Sequence, residues 1–223
     1  MKSKINVGLI GLGTVGGGVV NLLRDNKDVI ARRLGVPVVL KRAADLDENR
    51  AKALKLGKSV YTKDAREVIN DPDVDVVIEL IGGYNPAKAF ILEALKAGKP
   101  VVTANKALLA MHGEEIYEAS FKYGAPIAFE ASVGGGIPLI GALRHGLAAN
   151  DIQSVYGIIN GTSNFILTKM TDEGREFGEV LKEAQALGYA EADPTFDIEG
   201  IDTAHKLAVL ANLAFGTPVD FKN

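Results

Sequence analysis

The sequence has no cysteine and only three histidines among its 223 residues. Without cysteine there is no disulfide framework, no thiolate zinc site and no thiol nucleophile that could form a thioester. The histidines, at positions 112, 145 and 205, are scattered along the chain. A histidine-rich metal centre is therefore not expected.

An excess of positive charge and a long apolar run are also missing. The net charge is −3 and the pI is about 5.7, whereas nucleic-acid grooves concentrate lysine and arginine. No apolar run approaches the roughly 18–20 residues that a membrane span needs. The N-terminal "MKSKINVGLIGLG" is interrupted by glycines, which favours a strand over a leader. We expect a cytoplasmic protein that binds neither nucleic acid nor membrane.

What the sequence does contain is a regular alternation of strand and helix patterns over residues 1–130. "INVGLI" is a short β-branched run that is followed by a helical pattern from Thr14, and "VPVVLKRAAD" is a second strand pattern. Further strand patterns follow in "VDVVIELIGG", "KPVVTANKALL" and "APIAFEASVGGG". The second of these runs into a helix, and the segments "PAKAFILEALKAG" and "EEIYEASFKYG" are also helical. The alternation predicts a Rossmann-type, doubly wound parallel sheet.

The pattern changes at Ala131. A glycine-rich loop leads to an amphipathic helix, "DIQSVYGIING" alternates like a half-exposed strand, and "TSNFILTKMTDEG" and "EVLKEAQALGYA" are helical. We therefore expect a second, α+β module over residues 131–223. The final helix has little chain left to cover it, so we expect this module to be incomplete and the chain to be a fragment.

The glycines of "GLGTVG" form the pattern GxGxxG. The motif follows a strand and opens a helix, and an acid ends the next strand, which is the context that dinucleotide binding requires. Gly11 allows the tight turn, and Gly13 lets the backbone approach a pyrophosphate at the helix N-terminus. Gly16 completes the motif. The alternative is a glycine-rich turn without a ligand.

Asp45 is the acid at the end of the second strand. It would bind the ribose hydroxyls of NAD and repel the extra phosphate of NADP. The acid comes later than the roughly 20 residues of the usual fingerprint, and Lys41, Arg42 and Arg50 are near enough in sequence to offset the repulsion. The sequence thus leaves NAD and NADP open and leans towards NAD.

Three polar residues follow the strand pattern in "VVTANKALL". Ligands of open parallel sheets gather at the carboxyl ends of strands, where Thr103, Asn105 and Lys106 fall. The alternative, equally compatible with the sequence, is a helix N-cap followed by a solvated lysine.

The stretch "GYAEADPTFDIEGIDTAHKLAVL" places five acids before one lysine, Lys206. If a helix begins near Asp202, that carboxylate and Lys206 lie four residues apart on one face. The simplest interpretation is a capping aspartate in a surface ion pair. The helix is apolar nearly all round, however, so we expect a poorly hydrated lysine that can transfer a proton to and from a substrate oxygen.

Five blocks of the sequence resemble homoserine dehydrogenases in the same order along the chain: "GLGTVGGGVV", "VVTANKALLA", "FEASVGGGIPLI", "NGTSNFIL" and the acidic stretch with Lys206. The resemblance implies an NAD(P)-dependent oxidoreductase that interconverts L-homoserine and L-aspartate 4-semialdehyde. This reaction belongs to the biosynthesis of threonine, methionine and isoleucine.

The resemblance also implies roles for individual residues. Lys206 is similar to the family's catalytic proton donor and acceptor, and Lys106 to a second functional lysine between cofactor and substrate. The substrate positions correspond to Glu191, Asp202, Gly161, Thr162 and Tyr189. The cofactor positions correspond to Leu12, Thr14, Val15, Thr103, Lys106 and Gly188, in addition to the glycines of the motif. A monovalent cation, typically sodium, corresponds to Glu130, Val133, Gly135 and Ile137, mostly through backbone carbonyls.

The chemistry of the residues agrees with this assignment. Homoserine carries an ammonium group, which the acids near Glu191 can bind, and its hydroxyl needs a base such as Lys206. The family implies a homodimer, and its members continue well past Asn223, so a fragment with less than full activity is expected. Two alternatives stay open: a nicotinamide-dependent dehydrogenase of another small substrate, and a non-catalytic dinucleotide-binding module.

Overall fold

The structure is a computed structural model that describes residues 2–217, 219 and 221. The chain divides into two compact units, Met1–Ser132 and Val133–Asn223. Within the described ranges, every helix is too short or too polar to cross a membrane.

The first unit is built on a six-stranded sheet in which all the strands are parallel. The strand order is β3-β2-β1-β4-β5-β6. The strands are β1 (Ile5–Ile10), β2 (Val38–Ala44), β3 (Tyr61–Thr62), β4 (Val76–Glu79), β5 (Val101–Thr103) and β6 (Ile127–Ala128). The order reverses direction next to β1, which creates the crevice where such sheets bind ligands. The predicted doubly wound sheet is confirmed.

Six helices connect these strands. They are α1 (Thr14–Asp25), α2 (Lys27–Leu34), α3 (Glu48–Ala53), α4 (Ala65–Asn70), α5 (Ala87–Lys96) and α6 (Lys106–Tyr123). The two helical patterns predicted at either end of α6 form one helix that kinks at His112. The sequence pattern did not predict β3, because two residues are too few to show an alternation.

The core of this unit lies on both faces of the sheet. Leu9 of β1 and Ala43 of β2 are fully buried and pack with Leu12, Val20 and Ala51. The last four residues of β1 are all buried, as expected of a central strand that is covered by helices on both sides. This packing holds the start of α1 against the carboxyl end of β1.

In the described part of the second unit, all the regular elements are helical. It contains α7 (Leu139–Gly141), α8 (Gly161–Glu173), α9 (Phe177–Ala186), α10 (Thr195–Ile198) and α11 (Ile201–Phe215), with a π-helical turn over Ala142–Gly146. Its core includes Ile166 of α8 packed with Val180 and Ala184 of α9. Between these helices Arg175 forms ion pairs with Glu173, Glu179 and Glu183.

The strand predicted for "DIQSVYGIING" is not formed. Residues 151–160 have no regular secondary structure, and Tyr156 is 91% exposed. An alternating pattern indicates a strand only where another strand supplies hydrogen bonds, and the described part of this unit contains no other strand. The prediction failed because the pattern cannot show whether a partner strand is present.

Candidate functional site

The turn between β1 and α1 requires its glycines. Gly11 has φ of +99°, and its N–H donates to the carbonyl of Ala44 at 2.8 Å. A Cβ at Gly16 would lie 1.9 Å from the carbonyl oxygen of Gly11, so α1 can approach the turn this closely only without a side chain there. α1 has no acid in its first turn and no side-chain cap at Gly13. The start of the helix can therefore accept an anion.

Asp45 binds the same turn from the end of β2. One carboxylate oxygen accepts the N–H of Leu12 at 2.6 Å, and the other accepts the N–H of Asp47 at 2.9 Å. Arg50 also donates to Asp45, at 3.3 Å. Burial on its own would raise the pKa of Asp45, but the two backbone hydrogen bonds and the charge of Arg50 together lower this pKa below its ordinary value. Asp45 thus holds the glycine turn against β2.

A cavity of about 670 Å³ opens at this edge of the sheet, and we call it the sheet-edge cavity. Of the predicted cofactor residues, Gly11, Gly13 and Asp45 line it. Leu12 and Gly16 are buried beneath the turn, and Thr14 and Val15 are exposed on the first turn of α1.

Only one of the three cations near Asp45 in sequence lines the sheet-edge cavity, among the residues that the structure describes. That cation is Arg50. Arg42 pairs instead with Glu67 and Asp71, and Lys41 pairs with Asp73. The sequence could not separate these cases, because the acids that pair with Lys41 and Arg42 lie far along the chain, outside β2.

A buried carboxylate, Glu79, stands at the end of β4 and was not predicted. It is fully buried, and its two oxygens accept the N–H of Ile81 and the hydroxyl of Thr103, both at 2.8 Å. The Thr103 oxygen in turn accepts the N–H of Asn105 at 3.1 Å. Glu79 thereby fixes the chain at the carboxyl ends of β4 and β5, where cofactor residues were predicted.

Asn105 caps α6, as the alternative interpretation of this segment proposed. Its side-chain oxygen accepts the N–H of Leu108 at 3.1 Å, and its amide group donates to the carbonyl of Gly83 at 2.6 Å. Lys106 is the first residue of α6 and is half-buried. Thr103 is buried, and neither Thr103 nor Lys106 is among the described residues that line the sheet-edge cavity.

In the second unit, Lys206 lies on α11 beside Asp202. Its amine is 2.7 Å from the Asp202 carboxylate and donates to the carbonyl of Ile159 at 2.7 Å. The two side chains are only 18% and 13% exposed. The helix is capped by Gly200 rather than by Asp202, which belongs to its first turn. Asp202 is thus the partner of a poorly hydrated lysine and not a capping residue.

Asn160 joins this pair to a second acid that the sequence did not predict. Its amide nitrogen donates to Asp197 at 2.8 Å and to Asp202 at 3.1 Å. Its oxygen accepts the N–H of Ser163 at 2.7 Å and so caps α8. Asp197 lies within the acidic stretch, five residues before Asp202, and this was a visible signal. Nothing in the local sequence pointed to Asn160.

These residues line a cavity of about 700 Å³, which we call the acidic cavity. Of the predicted catalytic, substrate and cofactor residues, the following line it: Gly161, Thr162, Gly188, Tyr189, Asp202 and Lys206. The Thr162 hydroxyl donates to the carbonyl of Tyr189 at 2.7 Å. Glu191 is exposed and is not among the described lining residues. The structure therefore gathers most of the predicted set but not Glu191.

The predicted cation ligands differ in exposure. Glu130 is an exposed residue of the first unit, in a 3₁₀ turn over Glu130–Ser132. In the second unit Val133 is buried, Gly135 is exposed and Ile137 is 64% exposed. No cluster of three or more acidic, histidine or cysteine side chains suited to a metal occurs in the described ranges.

Two family models match the chain. Residues 11–130 match the model described as the NAD binding domain of homoserine dehydrogenase, and residues 138–223 match the model of homoserine dehydrogenase. The chain belongs to the homoserine dehydrogenase family. The first match contains the glycine turn and Asp45, and the second contains Asn160, Asp202 and Lys206.

Known homoserine dehydrogenases resemble the chain along nearly all its length. A relative from Neisseria gonorrhoeae is 54% identical over 217 residues, which are 97% of this chain and 50% of that protein. A solved homoserine dehydrogenase from Thiobacillus denitrificans has 54% identity and a TM-score of 0.91, covering 98% of this chain and 51% of that one. The chain thus spans about half the length of these relatives.

A more distant neighbour was solved with a nucleotide. It is a hyperthermophilic archaeal homoserine dehydrogenase in complex with NADPH, 28% identical, with a TM-score of 0.81 over 96% of this chain and 71% of that one. The homoserine dehydrogenase fold of this chain is therefore shared across wide sequence divergence.

Proposed function

We propose that the chain acts as a homoserine dehydrogenase, which interconverts L-homoserine and L-aspartate 4-semialdehyde with NAD or NADP. The observation that carries the proposal is the amine of Lys206, held 2.7 Å from both the Asp202 carboxylate and the Ile159 carbonyl. A lysine fixed in this way at the wall of a cavity is positioned to exchange a proton with a substrate hydroxyl.

The acidic cavity suits an amino alcohol. Asp197 and Asp202 supply negative charge that attracts the substrate ammonium group, and Lys206 accepts the hydroxyl proton during oxidation and returns it during reduction. Gly161, Thr162, Tyr189 and Glu191 complete the proposed substrate set. The cavity of about 700 Å³ has ample room for so small a substrate.

The start of α1 fits a dinucleotide. An added Cβ at Gly13 meets nothing nearer than Arg50 Nη1 at 3.7 Å, so the turn is open on its cavity side, and the uncapped helix start favours a pyrophosphate. When bound, the nicotinamide supplies the hydride acceptor. The proposed cofactor residues are Gly11, Leu12, Gly13, Thr14, Val15, Gly16, Asp45, Thr103, Lys106 and Gly188. Lys106 is also proposed as the second catalytic lysine.

The family resemblance adds further proposals. Carboxylate and carbonyl oxygens at Glu130, Val133, Gly135 and Ile137 are hard donors of the type that sodium prefers, and the glycines at 134 and 136 have positive φ, as tight loops require. We assign residues 1–130 to a dinucleotide-binding domain and residues 131–223 to substrate binding and dimerisation. A cytoplasmic homodimer in threonine, methionine and isoleucine biosynthesis completes the proposal.

The test is NAD(P)H formation from L-homoserine by the full-length protein and by its Lys206→Ala variant. Loss of general acid–base catalysis is expected to lower kcat by about 10²- to 10⁴-fold while the dissociation constant for NAD(P)H stays unchanged. The matched control is Lys169→Ala, because Lys169 lines the same cavity but pairs with Glu173. The proposal fails if the wild-type protein shows no turnover, or if both variants lose activity equally.

A further inference from the structure

Asn160 is a buried polar residue at the wall of the acidic cavity. It is only 6% exposed and precedes the first residue of α8. Helix caps are usually exposed and need only one acceptor. Serine, threonine or aspartate would serve that purpose equally well, so the cap does not explain why an amide occupies this position.

The hydrogen bonds of the amide nitrogen explain why this residue is an asparagine. An asparagine carries one acceptor and two donor hydrogens on a single planar group. Here the acceptor binds the N–H of Ser163, and the two donors reach Asp197 and Asp202. Those contacts join α8 to α10 and α11, across 37 and 42 residues of sequence.

The contacts continue to the amine of Lys206. Asp202 binds Asn160 and Lys206 through the same oxygen, Oδ2, at 3.1 and 2.7 Å. The Lys206 amine also binds the carbonyl of Ile159, the residue next to Asn160 in the chain. One partner of the amine thus binds the side chain of Asn160, and the other is the carbonyl of the peptide bond that joins Ile159 to Asn160.

We infer that Asn160 is a positioning residue, whose amide nitrogen holds the Asp197 and Asp202 carboxylates side by side and thereby sets the place of the Lys206 amine. This inference rests on the proposed function for its effect on turnover. Two carboxylates drawn together repel each other, and the shared donor offsets that repulsion. Without the donor, Asp202 is expected to turn away and take the amine with it.

The test variant is Asn160→Asp, which keeps the size of the side chain and the acceptor for the α8 cap but replaces the donor by a third carboxylate. A displacement of about 1 Å at a reacting group is associated with about 10²-fold loss of rate, so kcat is expected to fall by about that factor. KM for L-homoserine is expected to change less, because the cavity keeps its negative charge.

Two further variants show whether the loss of kcat comes from a displaced amine, from the added charge or from a less stable fold. Asn164→Asp adds the same charge to the same cavity at an exposed residue of α8, and a smaller loss of kcat is expected. Asn160→Ser keeps the cap without adding charge and also lacks the long-range donor, so it is expected to lower kcat while the melting temperature stays near the wild-type value. Equal losses in Asn160→Asp and Asn164→Asp, or an unchanged kcat in Asn160→Ser, would overturn the inference.

A pH series gives a signature that a purely structural role would not produce. In Asn160→Asp the new carboxyl group can act as a donor only when it is protonated, so the ratio of its kcat to that of the wild type is expected to rise as the pH falls. The ionisable groups that face it are Asp197, Asp202 and Lys206, with Lys169, Asp172 and Glu173 on the rest of the cavity wall. The Asn164→Asp variant places its carboxyl group at an exposed position of the same cavity, and it is expected to show a flat ratio.

A readout that is independent of turnover separates this inference from the proposed function. The side-chain ammonium signal of Lys206, assigned with Lys206→Arg in ¹⁵N-lysine NMR spectra, is expected to be sharp in the wild type and broadened in Asn160→Ser. If the wild type has no homoserine turnover but shows this change, the proposed function fails and the positioning role stands. An identical signal in both proteins would refute the positioning role whatever the enzyme assay gives.

Discussion

The Asp202 carboxylate lies 2.7 Å from the Lys206 amine, four residues further along α11. An exposed pair at this spacing contributes only about 0.3–0.5 kcal/mol. This pair is mostly shielded from water, and the amine has a second partner in the Ile159 carbonyl. Its main consequence is therefore geometric, since the lysine is held in one direction at the cavity wall.

Replacing the Asp202 carboxylate should show whether it holds the Lys206 amine in place. Asp202→Asn keeps the shape of the side chain but removes the ionic partner of Lys206, so we expect kcat/KM for L-homoserine to fall by about 10²-fold. Steady-state kinetics against Asp172→Asn provide the comparison, because Asp172 also lines the acidic cavity and its loss removes the same charge. Comparable losses in the two variants would point to the charge of the cavity rather than to the pair.

The glycine turn allows a test on two neighbouring positions. Gly16→Ala places a Cβ 1.9 Å from the carbonyl oxygen of Gly11, which is a contact between backbone and side chain that no rotamer can relieve. We expect a loss of about 1–3 kcal/mol in the free energy of unfolding, as in overpacked cores, and weaker NADH binding. The measurements are urea unfolding and quenching of NADH fluorescence.

Gly18→Ala is the matched control for that variant. It lies two residues further along α1, and its added Cβ meets nothing within 4 Å. Alanine is the better helix former, so we expect a gain of about 0.5–1 kcal/mol and unchanged NADH binding. If Gly18→Ala destabilised the protein as much as Gly16→Ala, close approach at the turn could not be the reason.

Arg50 is expected to influence the choice between NAD and NADP. It lines the sheet-edge cavity beside Asp45, whereas Arg42 is paired with Glu67 and Asp71. A charge-assisted hydrogen bond contributes about 1.5–3 kcal/mol, so Arg50→Ala should weaken NADPH binding by about 10- to 100-fold and NADH binding less. Arg42→Ala should weaken neither. Titration calorimetry with both nucleotides checks this, and equal effects of Arg50→Ala on the two would contradict it.

The lowered pKa of Asp45 predicts that the free energy of unfolding depends on pH. Its pKa is lowered in the folded chain from the ordinary value of 3.8, so the ionised form stabilises the fold. This contribution is complete above the unfolded value and is lost as the pH falls from 3.8 through the folded pKa. The difference in free energy of unfolding between the wild type and Asp45→Asn should thus be constant near neutral pH and shrink in acid. A difference in the free energy of unfolding that grows as the pH falls would contradict a lowered pKa of Asp45.

Local patterns predicted the parts of this molecule that depend on neighbours in the chain. The turn from Gly11 to Gly16 is specified by the close approach of a helix to the strand just before it. The pairing of Asp202 with Lys206 follows from helical spacing alone. In each case the residues that matter lie within one or two turns of each other, so the sequence order carries the information.

Contacts between residues far apart in the sequence could not be predicted from local patterns. The bonds from Asn160 to Asp197 and Asp202 depend on the packing of three helices, and the buried Glu79 depends on Thr103 in the next strand. The strand pattern at 151–160 was misleading for the same reason, because pairing depends on a partner elsewhere. Prediction stopped where tertiary contacts, rather than local preferences, decide the structure.

One acceptor of the Lys206 amine is a peptide oxygen, at Ile159. Every amino acid supplies that atom, so exchange of the side chain at this position leaves the bond intact. The carbonyl changes direction only if the backbone conformation at Ile159 changes. This bond is thus sensitive to insertions, deletions and prolines just ahead of α8, a class of mutation that a scan of single alanines would not detect.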